Sequence, residues 1–302
     1  MKPCLDEKPM RWMITDSGIG GLSVCAGLER GLRETGAGHG IELLYINATP
    51  EAQGGYNSLP SQSERIRVFN NFLRDTYQSF LPDQIAIACN TLSVIYEDTA
   101  FSSQCPVKVR GVVDAGVQMS KTYLRSQSEK HIIVFATETT TEADTYPRKL
   151  RGAENVTVVA QACPGLASAI SGDASGAACK LLLKNYIAEA LDQFETQTTS
   201  AAALLACTHY GYQAHVFKEL LADKGVNTEI LNPNDLLIEQ LLAENTSMRQ
   251  TSNASLSVRF VSRFPISQDV IHAMGQYLAG TAPLTLNALQ NQEVIPDLFE
   301  YR

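Results

Sequence analysis

Two short apolar runs each end in a cysteine and a polar pair: in IAIACNT, Cys89 precedes Asn90-Thr91, and in ALLACTH, Cys207 precedes Thr208-His209. A second pair of runs stands upstream. Arg11 to Thr15 ends in Asp16-Ser17-Gly18-Ile19-Gly20-Gly21, and Ile132 to Ala136 ends in Thr137-Glu138-Thr139-Thr140. Asp16 precedes Cys89 by 73 positions and Thr137 precedes Cys207 by 70, so a polar turn and a thiol keep nearly the same separation twice. Such a period reads as two similar halves of one internal repeat. Whatever fold the chain adopts must therefore be built twice, with matched turns and thiols.

Apolar, β-branched runs alternate with longer amphipathic stretches, the pattern of parallel strands covered by helices. The expected fold is α/β. Strands are expected near Arg11 to Thr15, Ile41 to Ile46, Gln84 to Ala88, Val107 to Val109, Ile132 to Ala136, Val156 to Ala160, Ala202 to Ala206, Glu229 to Leu231 and Ser257 to Phe260. The clearest helix begins at Ser61, where Ser61-Gln62-Ser63-Glu64 spells a capping box and Ile66, Phe69, Leu73, Tyr77 and Phe80 recur on one face. Further helices are expected from Leu22, from about Leu92, near Ala143 and from about Tyr212, one after each special turn. Each motif then sits at the carboxyl end of a strand, where open α/β sheets hold their ligands. The expected division is residues 1–112 plus 229–302 in a first α/β domain and 113–228 in a second.

With 302 residues, 44% of them hydrophobic and 19% charged, the chain can bury the cores of two domains. A net charge of −8 and a pI near 5.2 speak against a nucleic-acid partner, because phosphate binding needs clustered Lys and Arg. The opening MKPCLDEKPM has no apolar core for secretion, and Ala201 to Cys207 is far shorter than the roughly 18 residues of a membrane span. A cytoplasmic protein with no membrane partner is expected. Seven cysteines without CxxC spacing are expected to be reduced thiols, with Cys4, Cys25, Cys105, Cys163 and Cys179 simply packed.

A thiol is a useful carbon-acid base only when ionised, and its ordinary pKa of roughly 8.5 falls at a helix N-terminus or beside a cation. Cys89 and Cys207 are both expected in that setting. A matched pair of thiols can serve the two faces of one carbon. His209 is placed to orient or exchange a proton with Cys207, or to bind a carboxylate, and Asp16 to play the corresponding part near Cys89 while capping the glycine turn. The DSGIGG turn offers backbone N–H groups as a nest for an anion, most simply a substrate carboxylate beside hydroxyls of Ser17, Thr91, Thr140 and Thr208. Cys207-x-His209 supplies too few ligands for zinc without distant help, and His39, His131, His215 and His272 have no spacing that asks for chemistry.

The ordered set ITDSGIGGLSV, ACNT at Ala88 to Thr91, ATETT followed by Tyr146, CPGLA from Cys163 and ACTHY at Ala206 to Tyr210 resembles the glutamate racemases of the aspartate/glutamate racemase superfamily. The resemblance runs over most of the chain. It implies a cofactor-independent, two-base racemase with two pseudo-symmetric α/β domains and an active-site cleft between them. It further implies that Cys89 and Cys207 are the bases, that Asp16 and His209 assist, and that Ser17, Asn90, Thr91, Thr140 and Thr208 hold the substrate's amino and carboxylate groups. One region departs. Where the family has Gly-Asp and then Pro-Tyr-Gly, this chain has Tyr45-Ile46-Asn47-Ala48 leading into PEAQGGYNSLP, with Tyr56 in place of the motif tyrosine. Glutamate leads as substrate, followed by aspartate or another amino acid. A non-catalytic amino-acid-binding protein and a homodimer both stay open.

Overall fold

The computed structural model describes residues 8–52, 54–126, 130–151, 156–172, 176–245 and 255–301; Cys4 lies outside them. A first sheet is built on β1 (Met10–Asp16), β2 (Ile41–Asn47), β3 (Gln84–Ile87) and β4 (Lys108–Gly111). A second contains β5 (Lys130–Ala136), β6 (Val156–Ala162), β7 (Ser200–Ala206) and β8 (Asn227–Leu231), after which β9 (Ser257–Ser262) and β10 (Glu293–Val294) return to the first. Every pairing is parallel, and the orders are β10-β9-β2-β1-β3-β4 and β6-β5-β7-β8. The path β2-β1-β3-β4 is thus repeated strand for strand by β6-β5-β7-β8. Two pseudo-symmetric units are present, as the repeated turn and thiol imply.

Strands buried on both faces read as continuous apolar runs, which is why IELLYIN and SAAALLA are apolar almost throughout. Alternate residues feed opposite layers. Trp12, Ile14, Leu43 and Tyr45 pack under the Leu22–Glu34 helix, while Met13, Leu44, Ile46 and Ile87 pack under Gln62–Phe80. In the latter helix Phe69, Leu73 and Phe80 are buried and Ile66 and Tyr77 half-buried against them. Its expected capping box is half formed. Ser61 Oγ accepts from the Glu64 N–H at 3.2 Å, but the Glu64 carboxylate is taken by Arg67 at 2.6 and 2.9 Å.

Two helices carry the chain between the sheets, Val112–Ser126 on the way out and Pro233–Asn245 on the way back, and the second packs on both the first and Leu22–Glu34. The return expected at position 229 comes later, because residues 229–231 complete β8, pairing with Ala202 to Leu204 of β7. Helix starts also shift. The helix expected from Leu92 begins at Asn90, directly after Cys89; that near Ala143 is split into Glu138–Glu142 and Thr145–Leu150; and Tyr210–Gln213 forms a 3-10 turn before Ala214–Asp223. Among the described residues no helix is long and apolar enough to cross a membrane.

A buried carboxylate ties the last helices to the first sheet. Glu29 accepts from the backbone N–H groups of Leu284 and Thr285 at 3.0 and 2.8 Å and from Thr285 Oγ1 at 2.8 Å, with Arg33 at 3.4 Å. It thereby satisfies the orphan donors that open the Pro283–Gln290 helix, where negative charge is favoured. Glu29→Ala should cost about 2–3 kcal/mol, since those donors would be left buried and unpaired. Urea unfolding near neutral pH measures it, and a loss within about 0.5 kcal/mol would mean that water replaces the carboxylate freely.

Candidate active site

Because β1 and β3 are neighbours, and β5 and β7 likewise, each polar turn lies beside its thiol at a switch in strand order. Asp16 ends β1, and Ser17 Oγ stands 3.2 Å from Cys89 Sγ beyond β3. In the second unit Thr137 follows β5 and Cys207 follows β7, with Cys207 Sγ 3.8 Å from His209 Nδ1. Both thiols are buried, and Cys207 feels the charge of Cys89 and Asp16.

Around the thiols, side-chain hydrogen bonds cross from one unit to the other. Thr208 Oγ1 donates to Asp16 Oδ2 at 2.7 Å. Tyr146 OH donates to Asn90 Oδ1 at 2.6 Å. Thr91 Oγ1 lies 2.9 Å from Thr137 Oγ1, which donates to Thr140 Oγ1 at 3.0 Å. Of the residues singled out in the sequence, Asp16, Ser17, Cys89, Asn90, Thr91, Thr140, Cys207, Thr208 and His209 are all drawn into these contacts. Tyr56 has no such bond. It opens a short 3-10 turn, packs edge-on against Phe69 with ring centroids 6.1 Å apart, and keeps a buried hydroxyl without a protein partner within the field of Cys89.

The glycine turn folds onto its own carboxylate. The carboxylate of Asp16 itself takes the N–H of Gly18 at 2.8 Å and is hydrogen-bonded by the Gly21 backbone. Gly20 and Gly21 are there for closeness. A Cβ on Gly20 would lie 2.4 Å from His209 Nδ1 and 2.5 Å from Thr208 Oγ1, and one on Gly21 would lie 2.9 Å from Asp16 Cβ. The first turn of one unit can touch the second thiol motif only because position 20 has no side chain.

Burial also reverses the expected acidity of the thiols. Desolvation, with the Asp16 charge behind it and Ser17 opposing, pushes Cys89 up to about 12, and desolvation holds Cys207 well above the ordinary thiol range. The lowering expected from a helix start is outweighed. Burial drops His209 to about 4, leaving a neutral imidazole at neutral pH whose ring nitrogen can accept a hydrogen bond from Cys207. Asp16 is raised to about 6 by desolvation, moderated by Thr208, Gly18 and Gly21.

That shift has a measurable consequence. A carboxyl raised from 3.8 to about 6 keeps its proton more tightly in the folded state, so its contribution favours folding below about pH 4 and is lost as pH rises to about 6. Above that, burying the charge costs about 2–3 kcal/mol. Asp16→Asn should therefore be more stable than the parent at pH 7 by an amount that fades toward pH 4, while losing activity. Urea midpoints across that range test it; an Asn variant weaker at pH 7 would show that the bonds from Thr208 and Gly18 outweigh desolvation.

Tyr146, Thr137 and Asn234 were not singled out as site residues. Tyr146 was visible only as a landmark after ATETT. Asn234 donates to the Thr208 carbonyl at 3.1 Å and to Ser23 Oγ at 2.9 Å, fixing the second motif against the first helix; its only sequence signal was the helix-start pattern Asn232-Pro233-Asn234-Asp235. His39, His215 and His272 are exposed, and His131 packs against Phe194 with the rings tilted by 55°. Among the described residues no group of three or more His, Cys, Asp or Glu is arranged to hold a metal, and the six described cysteines are free thiols.

Two parallel α/β units, each presenting a cysteine at corresponding strand ends, define a class of two-domain, two-thiol proteins. Within it the chain is similar to glutamate racemases along nearly its whole length. It is 28% identical to the glutamate racemase of Campylobacter jejuni over 93% of this chain and 100% of that one, and 27% identical to that of Aquifex pyrophilus over 87% and 92%. Among solved structures, glutamate racemase of Francisella tularensis in complex with D-glutamate superposes with a TM-score of 0.69 at 25% identity, covering 92% of this chain and 95% of that one. Glutamate racemase isoform RacE1 of Bacillus anthracis gives a TM-score of 0.74 at 18% identity over 97% and 100%, a likeness of fold. No protein-family model matches the chain.

Proposed function

We propose that this protein interconverts L- and D-glutamate without a cofactor, using Cys89 and Cys207 as two bases on opposite faces of the α-carbon. The observation that carries this reading is the duplicated placement of the thiols, each at the end of an equivalent strand and each with its own polar neighbour, Ser17 or His209. In one direction a thiolate takes the α-proton and the opposite thiol gives its proton to the other face of the planar carbanion. The reverse direction exchanges their roles. Charge developing on the α-carboxylate is met by donors at Asn90 and Thr140, flanked by Thr91 and Thr208, whose hydroxyl protons are given to Thr137 and Asp16; preorganised stabilisation of this kind dominates many reactions.

Both thiols are too weakly acidic, as buried, to ionise alone near neutral pH. The substrate's α-ammonium supplies the missing term: a cation among the thiols and Asp16 offsets both desolvation and the Asp16 charge, so the active base forms as substrate binds. His209, neutral, orients Cys207 through the contact at its Nδ1. In this reading the units are 1–112 with the segment following β8, and 113 through β8, and the protein works in the cytoplasm on a small amino acid. Tyr56, beside Cys89, shapes the side-chain end of the site.

The test is α-proton exchange. Incubated in D2O with L- and D-amino acids, without pyridoxal phosphate and after chelator treatment, the protein should wash out the α-proton of both glutamate enantiomers. Exchange confined to aspartate or another amino acid moves the substrate and keeps the chemistry. Loss of exchange on chelation, restored by a specific metal, or binding with no exchange for any amino acid, sinks the two-thiol reading.

A further inference from the structure

The bond from Tyr146 OH to Asn90 Oδ1 spans the junction of the two units, and both side chains are almost fully buried, at 1% and 2% exposure. Asn90 is the residue directly after Cys89 and opens the Asn90–Tyr96 helix. Its amide has two ends of opposite character, an acceptor and a pair of donors. The acceptor end is engaged by Tyr146, while Nδ2 is buried with no protein acceptor. A buried donor left open is costly unless something else meets it.

A tyrosine is suited to fixing that choice. Burial, reinforced by Asp114, pushes its pKa far above the ordinary range, so the hydroxyl remains a proton donor across working pH. Space for it is made by Gly116 on the Val112–Ser126 helix, where a Cβ would come within 2.6 Å of the Tyr146 hydroxyl. An aromatic hydroxyl from the second unit is thus threaded past the connecting helix to reach an amide in the first.

We propose that Tyr146 is a positioning residue: it locks the Asn90 amide with its Nδ2 donors turned toward the substrate carboxylate. This rests on the racemase reading, in which Asn90 holds the substrate. Without the tyrosine hydroxyl, Asn90 is free to rotate its amide, presenting an acceptor to a carboxylate for part of the time. Binding weakens, while the thiols that move the proton are untouched.

Tyr146→Phe should raise KM for glutamate and the calorimetric Kd for D-glutamate by roughly tenfold, with kcat changed less than about threefold, the size expected for one buried hydrogen bond. Asn90→Ala should raise both at least as much. Adding Tyr146→Phe to it should then change nothing further, since the tyrosine acts only through the amide. Unchanged KM and Kd in Tyr146→Phe, additive losses in the double variant, or a fall in kcat alone would overturn the proposal. Thermal midpoints report folding. If Tyr146→Phe does not fold, Gly116→Ala carries the test, because its methyl would displace the Tyr146 hydroxyl while leaving Asn90 itself unchanged: a Kd raised about tenfold supports the proposal and an unchanged Kd overturns it. A parent that binds D-glutamate but exchanges no α-proton would defeat the racemase reading instead, and the calorimetric arm would still decide the role of Tyr146.

Discussion

Cys89→Ser and Cys207→Ser are each expected to lower glutamate racemisation by roughly a thousandfold or more, because a hydroxyl cannot replace a thiol as a carbon-acid base and each face of the substrate depends on one thiol. The variants should not be equivalent. With an analogue carrying a halide on its β-carbon, removal of the α-proton by the surviving thiol expels halide and leaves an enamine that hydrolyses to a keto acid and ammonia. That reaction needs only one base. Cys89→Ser should eliminate halide from one enantiomer and Cys207→Ser from the other, as read by keto-acid formation. If either variant racemises near the parent rate, or both prefer the same enantiomer, the thiols do not face opposite sides of one carbon.

The second large effect is expected at a residue with no chemistry of its own. In Gly20→Ala the new methyl would need the space of His209 Nδ1 and Thr208 Oγ1, 2.4 and 2.5 Å away. Neither can give way freely. Thr208 is held by Asp16 on one side and, through its carbonyl, by Asn234 on the other, and His209 is buried beside Cys207. The turn carrying Cys207 must move by several tenths of an ångström or more, and displacement on the ångström scale can cost on the order of a hundredfold in rate. We expect kcat/KM for glutamate to fall by about that factor while circular dichroism and the urea midpoint show a folded protein. Activity within about threefold of the parent would mean that the two turns part and reclose without consequence.

Much of this architecture was open to reading in the sequence. Nine strands fall where apolar, β-branched runs predict them; the central ones, β2 and β7, are covered on both faces and almost free of polar interruption, while β4 and β8 at the sheet edges are mixed. β10 escaped, being two exposed residues with no pattern of their own. The motif residues were legible as strand-end residues, and they converge. What one dimension could not carry was the relation between the units. The glycines after Asp16 give no sign in sequence that His209 and Thr208 lie against Gly20. The thiols look activated until their burial is known, for a helix start contributes less than desolvation removes. Tyr146 reaches a residue 56 positions away, and Asn234 reaches residues 26 and 211 positions away, and no local pattern announces such partners.

The two thiols do not share one environment. Cys89 has the Ser17 hydroxyl beside it, whereas Cys207 has a neutral imidazole, and both feel the Asp16 carboxylate. For enantiomers in an achiral solvent the equilibrium mixture contains equal amounts of each, so the ratio kcat/KM must be identical in the two directions whatever the catalyst looks like. The asymmetry between Ser17 and His209 can therefore never favour one product. It can only make the protein hold one enantiomer more tightly and turn it over proportionately more slowly, dividing a fixed total differently between affinity and speed. A bias toward D- or L-glutamate in a cell would then have to come from whatever removes the product, and the uneven surroundings of the thiols would set the concentration at which each enantiomer saturates the site.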